Sequence, residues 1–325
     1  MAIRTVLIAP EDVEGVAAAG PYIFMRVEKW TPVNDGKLDI PRETTGSTIV
    51  THTPRPGPRS FNFSGRARGY FDHSMHWFAM AMGVPGTTTA LGAQVHLFKP
   101  GGIAPLSYTI MWKQVSGSNV IWRRSTGCKV KELKVALMGN GGLGFEFSGH
   151  GKYATSISAP TVPADTTAAY AQPFAMDQQA LTLGGAEWRK PKKFDLTVDN
   201  GLEPDWSIFN TRDYDRLKLG DSTMKGDIET FLDAYVGSIL EAQDSSTSLL
   251  GQIILTVASA DVIGTTVPSF IVTMPRPYVG DASEDDSNTD AEAKGSIEFG
   301  YDTVTASNAK FQFTNMVDAT IFDGS

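Results

Sequence analysis

The chain has 325 residues, 41% of them hydrophobic and 20% charged, with a net charge of −8, 32 Gly and 18 Pro. That composition describes a turn-rich globular protein of about two domains and excludes collagen-like repeats and charge-driven disorder. No stretch reaches the roughly 18 apolar residues of a spanning helix, so no membrane partner is expected, and the single cysteine, Cys128, excludes an internal disulfide.

In chain order, the opening apolar run up to Ala9 is too short for a signal peptide. Period-two alternation then predicts strands over 61–68, 108–112, 130–137 and 145–148, and again over 194–198, 252–258, 269–274 and 297–301. Helical spacing is confined to two stripes. The first joins Phe71, Met75, Phe78 and Met82, and the second joins Leu232, Val236 and Ile239. Two long polar loops are predicted, at 44–59 and 204–222. An Ala/Thr/Pro-rich segment within 158–189 reads as an interdomain linker between units at 1–157 and 190–325. Residues 278–294, with six acids among small side chains, read as a solvated loop. Charge is divided unequally, +7 over residues 1–160 and −15 over residues 161–325.

A weak internal duplication underlies this order. At a shift of 161, Gly65, Tyr70, Phe71 and Asp72 fall on Gly226, Phe231, Leu232 and Asp233, and Ile110 falls on Ile271. Phe145-Glu-Phe147 resembles Ile297-Glu-Phe299 further on. Each half runs strand, polar loop, strand with a glycine, helix, then more strands. Asp72 and Asp233 stand where a carboxylate would cap the helix start. Gly65 and Gly226 interrupt strands, as at a bulge or close approach. Each unit would be a small antiparallel sheet covered by its helix on one face, leaving the sheet edges in need of a partner.

Motifs for catalysis are weak. Gly139-Asn-Gly-Gly-Leu-Gly144 fits a dinucleotide pattern, but a strand-like run follows where a helix is required, so it reads as a hairpin turn. Asp72, His73 and His76 could approach a metal, yet they read better as a cap and as exposed or interface histidines. Cys128 has no nearby histidine. No enzyme signature, metal or cofactor is expected.

The run Phe194-Asp-Leu-Thr-Val-Asp-Asn-Gly-Leu-Glu203, the polar loop after it and Met224-Lys-Gly-Asp-Ile-Glu-Thr-Phe-Leu-Asp-Ala234 resemble the tail tube (major tail) proteins of long-tailed bacteriophages. Phe311-Gln-Phe-Thr-Asn-Met316 is similar to that family's last strand, and residues 43–83 carry the same plan in the first half. The resemblance implies a mainly β fold of two tandem β-sandwich, barrel-forming units, each with one flanking α-helix. It implies self-assembly into rings whose sheets join around a channel, stacked into the virion's hollow tail as a conduit for DNA ejection. The partners implied are further copies of the chain, a tape measure, a tail terminator, a distal tail protein, and DNA that passes without specific binding. Synthesis in the host cytoplasm follows. Two units per chain favour trimeric, pseudo-hexameric rings over hexameric ones. The two polar loops, with Arg55, Arg59, Arg212, Asp213 and Arg216, are expected to touch the next ring, and the channel wall is expected to be acidic or neutral so that DNA slides. The alternative is a β-sandwich carbohydrate- or receptor-binding virion module, suggested by six tryptophans.

Overall fold

The computed structural model describes residues 2–39, 42–45, 48–51, 55–90, 92–101, 103–138, 142–163, 179–187, 191–206, 212–231, 252–259, 262, 267–285, 292–304 and 306–322. The first half holds β1 (Ala2–Pro10), β2 (Ile23–Met25), β3 (Lys29–Asp39), β4 (Arg42–Thr45), β5 (Thr48–Thr51), β6 (Arg55–Arg68) and helix α1 (Ser74–Met82). It continues with β7 (Gly86–Ala90), β8 (Ala93–Phe98), β9 (Tyr108–Ser116), β10 (Asn119–Met138), β11 (Gly142–Gly151) and β12 (Thr155–Ile157). The second half holds β13 (Gln179–Leu183), β14 (Ala186–Glu187), β15 (Pro191–Asp199), β16 (Glu203–Asp205), β17 (Arg216–Lys218) and β18 (Thr223–Phe231). β19 (Ile253–Ala258), β20 (Ser269–Met274), β21 (Pro277–Asp285), β22 (Glu292–Phe299) and β23 (Lys310–Asn315) complete it. The fold is mainly β, as the alternation predicts.

Antiparallel pairing joins eight strands in the order β3-β6-β11-β10-β15-β18-β22-β21. That row is two like groups of four set head to tail. β3, β6, β11 and β10 in the first half occupy the places of β15, β18, β22 and β21 in the second, and β10–β15 is the seam between them. Along each strand one side chain in two faces the core, including Phe61, Leu133, Phe145, Phe147, Phe194 and Leu196. β10 is long enough to serve two sheets. Its first half pairs with β9 and β12, beside β1 and β2, and a bulge at Gly127 (φ +63°) turns it into the eight-strand row. A further sheet, β14-β13-β19-β20-β23-β8-β7, takes strands from both halves, and one continuous core lies beneath all of them. β13 and β14 fall inside the segment expected to be a linker.

Helix α1 differs from the expected amphipathic cover, because all nine of its residues are buried. It lies between sheets. The Phe78 ring meets Phe145 of β11 at 5.3 Å on one side and Phe270 of β20 and Phe313 of β23 at 5.7 and 5.0 Å on the other. A helix with sheets on two sides has no polar face to give to water. Phe71 and Asp72 stand in the turn before it, and the helix N-cap is His73, which makes no side-chain cap bond. Asp72 Oδ1 accepts the adjacent His73 N–H at 2.8 Å, so the carboxylate expected as a cap stands one residue too early. His73 and His76 are buried rather than exposed. His76 Nδ1 lies 3.0 Å from the Tyr108 hydroxyl, and burial pulls its pKa down to about 3. Gly83 closes the helix at φ +84°, donating its N–H to Ala79 O. The second helical stripe and Asp233 lie outside the described residues.

Strands β10 and β11 pair as a hairpin with Met138 opposite Gly142, where the glycine-rich motif reads as a turn; residues 139–141 themselves lie outside the described ones. Ile110 and Ile271 do not stand on corresponding strands. The first-half row β2-β1-β9-β10-β12 matches the second-half row β14-β13-β19-β20-β23, so β9 answers to β19 and β20 to the first part of β10.

Candidate assembly surfaces

Glycine at the repeat positions has a steric cause. A Cβ on Gly65 would stand 2.6 Å from the Phe147 ring and 2.9 Å from Lys29 O; on Gly226 it would stand 3.0 Å from the Phe299 ring and 3.4 Å from Asp195 O. Each half thus lays a phenylalanine across a glycine, with the carbonyl of the preceding strand beneath. Tyr70 carries the Arg26 guanidinium 5.4 Å above its ring. Phe231 ends β18 opposite Glu292.

The two segments expected to be loops leave the same end of the eight-strand row, and both are hairpin arms. β3 and β6 run on past the sheet to Asp39 opposite Arg55, beyond which β4 and β5 pair. β16 and β17 pair above β15 and β18. The arms clasp each other. Arg59 Nε and Nη2 donate to the two carboxylate oxygens of Asp213 at 2.7 and 2.9 Å, the Arg59 amide donates to Arg212 O, and Arg212 Nε donates to Gly57 O at 3.2 Å. Arg59 also covers the Tyr153 ring at 4.8 Å, and Asp213 raises its pKa further. Three residues singled out in sequence, Arg59, Arg212 and Asp213, are therefore joined within one chain. Arg216 is apart from them, paired with Asp205 at 3.3 Å and largely exposed, and the backbone of Arg55 stands opposite Asp39.

Sequence reasoning passed over the anchor of this clasp. The Tyr214 hydroxyl donates to Gly127 O at 3.2 Å, and the Gly127 amide donates to the buried Glu11 carboxylate, which also accepts from Gly15 N and Thr109 Oγ1. Burial raises the Glu11 pKa against these hydrogen bonds. An aromatic directly after Asp213, three residues before Leu217, was the available signal for Tyr214, which packs with Leu202 and Leu217. Glu11 had none, because Thr109 and Gly127, the partners that fix it to the sheet, are more than ninety residues away.

The outward face of the eight-strand row is polar. Asp195, 1% exposed, holds Lys134 and Lys193 at 2.8 and 2.7 Å. Arg68 and Arg66 reach Glu28 at 2.6 and 3.4 Å. A trough across β10, β15, β18 and β22 gathers Glu132, Asp199, Asp227 and Glu298 around Lys225. Three of its four acids, Asp199, Asp227 and Glu298, lie in the second half and Glu132 in the first. The row ends in two strands, β3 and β21, each with one edge unpaired among the described residues.

Comparison with known proteins accords with this architecture. No curated protein matches the chain. A family model described as phage tail tube protein matches residues 2–300. The match covers nearly the whole chain, and the chain belongs to the phage tail tube protein family.

Proposed function

We propose that this virion structural protein closes into rings that stack as the hollow tail, and that DNA leaves the particle through the channel. The observation that carries the reading is the strand order. The β10–β15 seam joins the last strand of one group to the first of the next, and the same junction made between chains would continue the row until it closes and no edge is left. Units 1–157 and 190–325, tied by 158–189, then count as two tube units, so three chains supply six. Three chains also set each +7 half between two −15 halves. Six chains with one half outside the channel is the competing arrangement. The polar face becomes the channel wall, where the acids of its trough would repel passing phosphates. The arms meet the ring above.

In this role the chain is a tail component made in the host cytoplasm, meeting itself, a tape measure, a terminator and a distal tail protein, and it catalyses nothing. The carbohydrate-binding alternative gains nothing from the tryptophans: Trp30, Trp77, Trp112 and Trp122 are buried, Trp206 alone is exposed among those described, and Trp188 lies outside the described residues. Negative-stain microscopy of the purified chain tests the proposal. Rings or hollow rods are expected, and compact monomers at all concentrations would overturn it.

A further inference from the structure

Strands β3 and β21 each carry an irregularity, whereas the β10–β15 ladder itself runs without a register shift. β3 holds Pro32, opposite Phe63 of β6. The Glu28 amide donates to Arg66 O while Lys29 is the residue opposite Arg66, a bulge that sets the phase of the ladder. In that phase alternate amides from Lys29 face β6, and the Pro32 nitrogen faces the open edge, where it has no hydrogen to donate. β21 is bulged between Val279 and Ala282.

The internal repeat fixes how these edges would meet. Across the first group, Trp30 and Phe147 stand opposite Gly65, and Leu133 stands opposite Phe147. Across the second, Leu196 and Ile297 stand opposite Gly226, and Val279 stands opposite Ile297. Trp30 therefore corresponds to Leu196, Pro32 to Val198, and Val279 to Leu133. Inside the chain Leu133 is opposite Val198.

Resting on the ring reading above, we infer that β21 of one copy pairs antiparallel with β3 of the next in a single register, Val279 opposite Pro32 and Tyr278 opposite Val33. In this register the missing donor of Pro32 falls beside the bulge at Gly280 and Asp281, so the two interruptions coincide. A two-residue slip separates them and leaves two gaps in place of one. The register also covers an exposed apolar side chain. Val33, 49% exposed on the polar face of β3, comes against Tyr278, which lies on the corresponding face of β21 beside Glu298. A free edge with a proline is blunted against indiscriminate strand addition, which leaves this register as the favoured joint.

Cysteine pairing reads the register directly. Glu132 and Asp199, the internal counterparts of Tyr278 and Val33, are directly opposite, and cross-strand neighbours stand about 4.5–5.5 Å apart, within disulfide range. Under mild oxidation of assembled rings, Val33→Cys with Tyr278→Cys should lose its monomer band on a non-reducing gel and give covalent oligomers. Thr31→Cys with Gly280→Cys should do the same. Val33→Cys with Arg276→Cys, which reports a two-residue slip, should stay monomeric. The native Cys128 is fully buried and should not cross-link. Crosslinking of the slipped pair, or rings that form in both matched variants without crosslinks, would overturn the register while leaving rings intact. Wild-type protein that forms no ring at all would instead remove the reading on which the register rests.

Discussion

Glycine at 65 and at 226 was legible as a repeat position, but the two sites are not equally strict. At Gly65 the obstacle includes the backbone carbonyl of Lys29, which cannot swing aside, whereas at Gly226 the nearest atoms belong to the Phe299 ring. Gly65→Ala should therefore lose about 1–3 kcal/mol as an overpacked site. Gly226→Ala should change stability by less than about 1 kcal/mol, because the strand gains from losing a glycine. Chemical denaturation of the two variants checks the difference. His76 makes a second residue-scale case. Its pKa is about 3 in the fold against an unperturbed 6.5, so the unfolded chain binds its proton first as pH falls. Stability is lost progressively below about pH 6.5, by up to about 1.4 kcal/mol per pH unit while only the unfolded form is protonated. His76→Gln, which retains a polar partner for Tyr108, should flatten the melting temperature between pH 6.5 and 4; an unchanged slope would assign that acid sensitivity elsewhere.

At the scale of elements, the strands were legible wherever a single face is buried, because alternation then writes itself into the sequence. β6, β11, β15 and β22 are of this kind. α1 was found but its setting was not: a stripe at 71, 75, 78 and 82 marks one face, and the polar letters His73, Ser74 and His76 disguised that the other faces are buried too. The arms were taken for loops because β4, β5, β16 and β17 are only three or four residues each, too short to betray a period. The clasp joins residues 154 apart, a separation at which sequence carries no pairing signal. Arg59→Ala and Asp213→Ala should each cost about 1–2 kcal/mol of stability, since two charge-assisted bonds between half-exposed groups are lost. The double variant should cost little more than either one. If the clasp sets the arms for the next ring, rod length by electron microscopy should fall sharply while single rings persist. Rods of normal length from Arg59→Ala would limit the clasp to a stabilising role.

For the whole molecule, the duplication and the family resemblance carried the plan of two units, but sequence could not reveal that both contribute to one core and one outer sheet. β8 pairs with β23, more than two hundred residues away. In the proposed ring the outward face becomes the channel wall, and there Asp195 holds Lys134 and Lys193 in pairs. Changing Asp227 and Glu298 together to lysine would line the trough with cations, and virions so built should release DNA more slowly, most clearly at low salt. Equal ejection rates at low and high salt would detach the trough from the DNA path. The central claim is that one chain supplies two sixths of a ring. Native mass spectrometry of rings dissociated from the tube measures it directly: a mass of three 35.0 kDa chains is expected, and a ring of six chains, or any closed ring whose copy number is not three, would contradict it.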